Sequence, residues 1–175
     1  VEGRIAMCAS EHFLKRNNNK TFAEQEAYNH RVLSLYKELG IPVRRGSIMA
    51  AFGCNFEGDV APEKVVALVG QMRAIARDAG EDLSLIGLGD TMAWATPERI
   101  RRVVGMVLDA NPDVELSLHL HDTRGLGLAN VTAALDCGVR RFDASGAGIG
   151  GCPHAPGASG NVATEDLAYL FASMG

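Results

Sequence analysis

The stretch Leu83-Ser84-Leu85-Ile86-Gly87-Leu88-Gly89-Asp90-Thr91, followed after four intervening residues by Thr96-Pro97-Glu98, decides the fold. The short apolar run reads as a buried strand, and Gly89-Asp90-Thr91 as the loop that ends it. Thr96 then offers a capping hydroxyl, and Pro97 takes the first helical position, where its missing N–H leaves nothing unpaired. Glu98 adds an acid in the first turn. The unit is strand, loop, helix.

The same grammar extends in both directions. Downstream, residues 114–120 read as a strand and 126–137 as a helix ended by Gly138; 139–144 then form a strand, and a long glycine loop leads to a helix over 164–174. Upstream, 43–51 form a strand, and a loop runs through Cys54 and Glu57 to a helix opened by Pro62-Glu63 and closed at Gly80. The first apolar run is 4–8, followed by a polar loop over 11–20 that contains Asn17-Asn18-Asn19. Thr21 and Glu24 form a capping box, each side chain able to satisfy an orphan backbone N–H. The helix it starts runs to about Leu39, with Val32, Leu33, Leu35 and Tyr36 at helical spacing and Gly40 at its left-handed end.

Five strands, each followed by a helix and none joined by a hairpin signal, imply parallel strands with crossover connections, an α/β fold. Periodicity leaves two architectures open, an open doubly wound sheet and a (β/α)8 barrel. The chemistry-bearing residues sit at strand ends and in the loops that follow, which suits both.

The chain has 175 residues, 47% hydrophobic and 22% charged, which is globular composition. That length suits a single domain. Seventeen basic against 21 acidic residues give a net charge of -4, with no cationic field for a nucleic acid. No apolar run approaches the ~20 residues that cross a bilayer, and the start has no signal-peptide layout. The expectation is a soluble cytoplasmic protein without a membrane partner. The four cysteines, Cys8, Cys54, Cys137 and Cys152, form no CxxC pair and read as reduced thiols.

His119-Leu120-His121-Asp122 is the sharpest constellation. Residues i and i+2 of a strand share a face, so both imidazoles at a strand end can reach one divalent cation. The pattern is also compatible with two ordinary core or surface histidines. The loop 146–161 begins with a formal G-x-G-x-x-G, but a dinucleotide fingerprint must open a helix directly. Here Pro153 and Pro156 hold the segment extended for ten more residues. A glycine loop that places a few side chains explains it better, and Cys152 and Asn161 are the candidates. Cys152 could donate a proton or attack as a nucleophile. Cys8 and Cys137 read as small buried hydrophobes, and Cys54 stays ambiguous. Asp90 sets a carboxylate just past a strand, or caps the next helix.

Together, 118–123 (Leu-His-Leu-His-Asp-Thr), 125–130 (Gly-Leu-Gly-Leu-Ala-Asn), Gly150-Gly151-Cys152-Pro153 and 157–167 (Gly-Ala-Ser-Gly-Asn-Val-Ala-Thr-Glu-Asp-Leu) resemble the 3-hydroxy-3-methylglutaryl-CoA lyase family. Ala9-Ser10-Glu11-His12-Phe13, Phe52-Gly53-Cys54, Glu57-Gly58 and 87–91 extend the resemblance over essentially the whole chain. It implies a (β/α)8 barrel lyase that cleaves 3-hydroxy-3-methylglutaryl-CoA, or a close 3-hydroxyacyl-CoA, to acetyl-CoA and acetoacetate, as in leucine degradation and ketone body formation. It further implies Mg2+ or Mn2+ held by His119, His121 and Asn161, and catalytic roles for Cys152, His119 and Asp90. An acyl-CoA substrate, a homodimer, and a mitochondrial matrix location in a eukaryote follow from the same resemblance.

Two positions depart from the family. Arg124 stands where an aromatic residue is usual, and His154 where tyrosine commonly follows Cys-Pro; both bear on the acyl group. The family's Arg-Asp pair on the first strand and glutamate on the second have no counterpart here. The match therefore reads as the C-terminal portion of the barrel, strands 4–8, with the N-terminal strands missing. A typical barrel needs ~250 residues, so the chain alone is expected to be inactive and, with its strand edges open, unstable. Two rivals remain: a condensing enzyme of the isopropylmalate or homocitrate synthase type, and a non-catalytic piece.

Overall fold

The computed structural model describes residues 2–155 and 157–175. Five strands alternate with helices: β1 (Gly3–Cys8), α1 (Glu11–Asn18), α2 (Phe22–Glu38), β2 (Val43–Met49), α3 (Pro62–Asp78), β3 (Leu85–Gly89), α4 (Pro97–Ala110), β4 (Glu115–His119), α5 (Gly127–Asp136), β5 (Arg141–Asp143) and α6 (Thr164–Met174). All four pairings are parallel and the strand order is β1-β2-β3-β4-β5. A doubly wound sheet reverses its order at a switch point. This sheet does not, so the doubly wound alternative fails.

The register explains why. Met7, Ile48, Leu88 and Leu118 lie in one row across the sheet, with Ile5, Gly46, Ile86 and Leu116 in the next row on the same face. The helices pack on that face: a methyl group at Gly46 would meet Met72 of α3 at 2.5 Å. On α4, Ile100, Val103, Val104 and Val107 recur at i, i+3, i+4 and i+7 and are fully buried. Each such side chain contributes about 1.5–3 kcal/mol by leaving water. The opposite face carries small or polar residues, Ser47, Gly87 and Ser117 in one row and Gly89, His119 and Asp143 at the strand ends.

The caps are as expected. Thr21 and Glu24 close the capping box on α2, and Thr96 accepts from Arg99 N at the start of α4. Gly40, Gly80 and Gly138 follow their helices with positive φ.

Several expectations fail locally. Residues 11–18, expected as a polar loop, form α1. Ser10 caps it by accepting from Phe13 N, Lys15 and Arg16 occupy its last turn, and Asn19 ends it in the left-handed conformation. Only Phe13 and Leu14 are buried, too few to leave an apolar period. β2 stops at Met49 because Ala50 turns to φ 53°. β4 and β5 are shorter than expected, with Leu120 and Ala144 outside them. The segment after Gly151, expected as extended, instead closes a turn in which Ala155 N donates to Cys152 O at 3.0 Å, and a 3-10 turn over Gly146–Gly148 opens the loop; Pro156 lies outside the described residues. No helix among the described residues is long and apolar enough to cross a membrane.

Candidate active site

β4 ends on His119, which in register lies between Gly89 of β3 and Asp143 of β5. A Cβ at Gly89 would make only ordinary contacts, the nearest with Ile48 O at 3.5 Å and Thr91 Oγ1 at 3.6 Å. His119 Nδ1 stands 3.9 Å from Asp143 Oδ2 on the β5 side, too far for a hydrogen bond. His121 follows just outside the strand, its ring centroid 5.1 Å from that of His119.

His121 is fixed by its neighbour. Its Nδ1 lies 2.8 Å from the backbone carbonyl of Asp90. A carbonyl only accepts, so the proton sits on Nδ1 and Nε2 keeps its lone pair. Burial holds the His121 pKa below the usual histidine range, against the opposite pull of the Asp90 carbonyl. A neutral imidazole with a free Nε2 is the form that binds a metal.

Asn161 reaches the same place from the far end of the glycine loop. The returning chain runs beside residues 120–122: Asp122 N donates to Gly160 O at 2.9 Å, and Val162 N to Leu120 O at 3.1 Å. Asn161 Nδ2 donates to Ile149 O at 3.1 Å and Gly150 O at 3.0 Å. Both amide hydrogens thus have partners, while its Oδ1 is buried with no partner among the described residues. Leaving such an acceptor unpaired costs about 1–3 kcal/mol unless something fills the place.

His119, His121, Asn161 and Cys152 border one cleft of about 280 Å³, together with Thr91, Met49 and the α1 residues Phe13 and Asn17. Phe13 falls in the stretch 9–13 that carries the resemblance, whereas Asn17, read as part of a polar loop, left no signal of a place in the site. A larger cleft, about 490 Å³, lies between the starts of α3 and α4 and contains none of these residues.

The Asp90 carboxyl does not border the 280 Å³ cleft. It is wholly buried, and Oδ1 accepts from Trp94 N at 2.7 Å and Ala95 N at 3.0 Å. Asp90 therefore ties down the β3–α4 loop, while Thr96 caps the helix. Burial raises its pKa to about 6, although those two N–H donors and the Arg124 and Arg99 charges oppose the rise. Oδ2 has no partner among the described residues. Arg124 donates to Met92 O at 3.1 Å and Ala93 O at 2.5 Å, bracing the same loop.

The remaining thiols divide by environment. Cys8 and Cys54 are buried, Cys8 with its pKa pushed up to about 12 by burial. Cys137, expected as buried, is half-buried, as is Cys152.

Two histidines, an asparagine and a cysteine border one cleft. The HMGL-like family profile matches residues 2–175. The chain belongs to the HMGL-like family. It is 40% identical to the (R)-citramalyl-CoA lyase of Chloroflexus aurantiacus over 98% of this chain and 52% of that protein. It is also 40% identical to the hydroxymethylglutaryl-CoA lyase of Pseudomonas mevalonii over 99% and 56%. The crystal structure of the HMG-CoA lyase from Brucella melitensis superposes with a TM-score of 0.86 at 34% identity, covering 99% of this chain and 59% of that one. This HMGL-like chain spans about half the length of the curated relatives it matches.

The donor set fits a divalent cation of borderline-to-hard character. Among the described residues no cluster of three His, Cys, Asp or Glu side chains is poised to hold a metal. His119, His121 and Asn161 would offer three donors, fewer than the six of an octahedral shell.

Proposed function

We propose that this chain carries the metal-binding and proton-transfer end of a carbon–carbon lyase that cleaves 3-hydroxy-3-methylglutaryl-CoA, or a close 3-hydroxyacyl-CoA, to acetyl-CoA and a ketone product. One observation carries the reading: Asn161, whose buried Oδ1 has no partner among the described residues, borders the same cleft as His119, His121 and Cys152. The five sequential parallel strands are then strands 4–8 of a (β/α)8 barrel.

At rest, His119, His121 and Asn161 would hold Mg2+ or Mn2+. When bound, the cation supplies Lewis-acid polarisation of the substrate hydroxyl and carboxylate oxygens. His121 is held for this by the Asp90 carbonyl, and its neutral state keeps Nε2 available. With its ring free and the cation left to His121 and Asn161, His119, at the edge of the cleft and beside Asp143, would take the tertiary hydroxyl proton as the C–C bond breaks. The bonding electrons pass to the thioester fragment as an enolate. Cys152 Sγ–H protonates that enolate carbon, giving the acetyl group, and the thiolate regains a proton from the base. The Asp90 carboxyl acts from behind the cleft by fixing the loop that carries the His121 acceptor.

The assay is acetoacetate release from 3-hydroxy-3-methylglutaryl-CoA with Mn2+, with citramalyl-CoA as a second thioester because of the Chloroflexus relative. CoA release that depends on an added 2-oxo acid would instead support the condensing-enzyme reading. A homodimer and a cytoplasmic location belong to the same proposal; relatives named as cytoplasmic (Rattus norvegicus) and mitochondrial (Bos taurus) lyases both match. Light scattering checks the dimer.

A further inference from the structure

Before Cys152 the glycine segment is tied through its backbone, its carbonyls accepting from Asn161 and Ala147 N donating to Glu165, and it offers few side chains to anchor the thiol. Residues 146–151 contain four glycines and two side chains, and of these Ile149 is 73% exposed. Cys152 is nevertheless half-buried, packed against the second apolar cluster, which contains Phe13, Cys54 and Met92. What holds it follows two residues later.

The His154 ring stands edge-on to Phe13 of α1 and to Phe56 of the β2–α3 loop, both with centroids at 5.8 Å. Its backbone carbonyl accepts from Asn55 Nδ2 at 3.3 Å. Asn55 Oδ1 in turn accepts from Trp94 Nε1 at 2.9 Å, and the Arg124 guanidinium lies 5.7 Å from the Trp94 ring. A turn closed by Ala155 N donating to Cys152 O at 3.0 Å makes 152–155 one unit. Fixing His154 therefore fixes Cys152. Aromatic edge contacts of this kind are worth more than their buried area alone.

We propose that His154 and Asn55 are positioning residues for the Cys152 loop, a latch that docks the thiol against the α1, β2–α3 and β3–α4 loops. The proposal rests on the reading of Cys152 as the reacting thiol and gives the His154 and Arg124 departures a shared place in one network. Asn55, silent in the sequence, is its centre. An aromatic ring at 154 is the requirement, not an imidazole.

The test is the rate of iodoacetamide labelling of Cys152 in the native full chain, read by peptide mass spectrometry, with Cys137 as the internal reference. His154→Ala and Asn55→Ala should each raise Cys152 labelling by about 5- to 30-fold, the population change that a lost contact set of ordinary strength produces. His154→Tyr should restore the slow rate, and Cys137 labelling should not change. Unchanged Cys152 labelling in both alanine variants overturns the latch, as does a parallel rise at Cys137, which marks general loosening. Labelling needs no acyl-CoA. A latch that holds in a protein without lyase activity refutes the functional reading alone, and a lyase with freely labelled Cys152 refutes the latch alone.

Discussion

His121 Nδ1 donates to the backbone carbonyl of Asp90 at 2.8 Å, tying the end of β4 to the loop after β3. The bond chooses the tautomer and leaves the Nε2 lone pair unprotonated. His121→Ala and Asn161→Ala should therefore each weaken Mn2+ binding, measured by electron paramagnetic resonance titration, by at least the ~10–100-fold that loss of even an outer-shell partner costs. Cys152→Ala should bind Mn2+ as the parent does.

Asp90 gives a pH signature. Burial lifts its folded pKa from the ordinary 3.8 to about 6, so the folded chain holds this proton more tightly than the unfolded chain. Its contribution is full below the unfolded value and is lost as pH rises through about 6, at a cost on the order of 3 kcal/mol. Asp90→Asn stays neutral throughout. The stability of the variant relative to the parent, from urea unfolding, should rise between pH 4 and 6 and be flat above. A flat difference over that range contradicts the buried, raised carboxyl.

Ser10 joins three elements: its Oγ accepts from Phe13 N at 3.0 Å and from Cys54 Sγ at 3.2 Å. Ser10→Ala should cost about 1–2 kcal/mol in urea unfolding, the range for a lost N-cap. A cost near zero would mean that α1 needs no cap.

Gly160 has φ +118°, and a Cβ there would fall 2.2 Å from Gly148 O and 2.7 Å from Gly150 O. Those carbonyls accept from Asn161 N at 3.0 and 3.1 Å. Gly160→Ala should displace Asn161 and lower Mn2+ affinity, while circular dichroism shows the helices intact. Parent-like affinity would mean that Asn161 is not a ligand.

The legible parts of the fold were those with local signatures. The capping box at Thr21 and Glu24, Thr96-Pro97 and Gly138 set element boundaries by short-range hydrogen bonding, and all appear as read. Helix α1 was hidden because its two buried residues are adjacent, with no period to detect, and its cap is a lone serine. Strand order was hidden because it depends on which face of each strand the helices cover. At the site, His119, His121, Asn161 and Cys152 were visible from motif, and one cleft gathers them. The burial of the Asp90 carboxyl and the Asn55–His154 contact, 99 residues apart in sequence, were not. Long-range contacts of that kind leave no local trace.

Acetoacetate release from 3-hydroxy-3-methylglutaryl-CoA, with and without Mn2+, by the protein that carries this chain and by its Cys152→Ala variant, tests the central claim most directly. The expected result is release that requires the cation, with a severe loss of turnover in the variant at unchanged Mn2+ affinity. Release that ignores the cation, or parent-like turnover in Cys152→Ala, would contradict it.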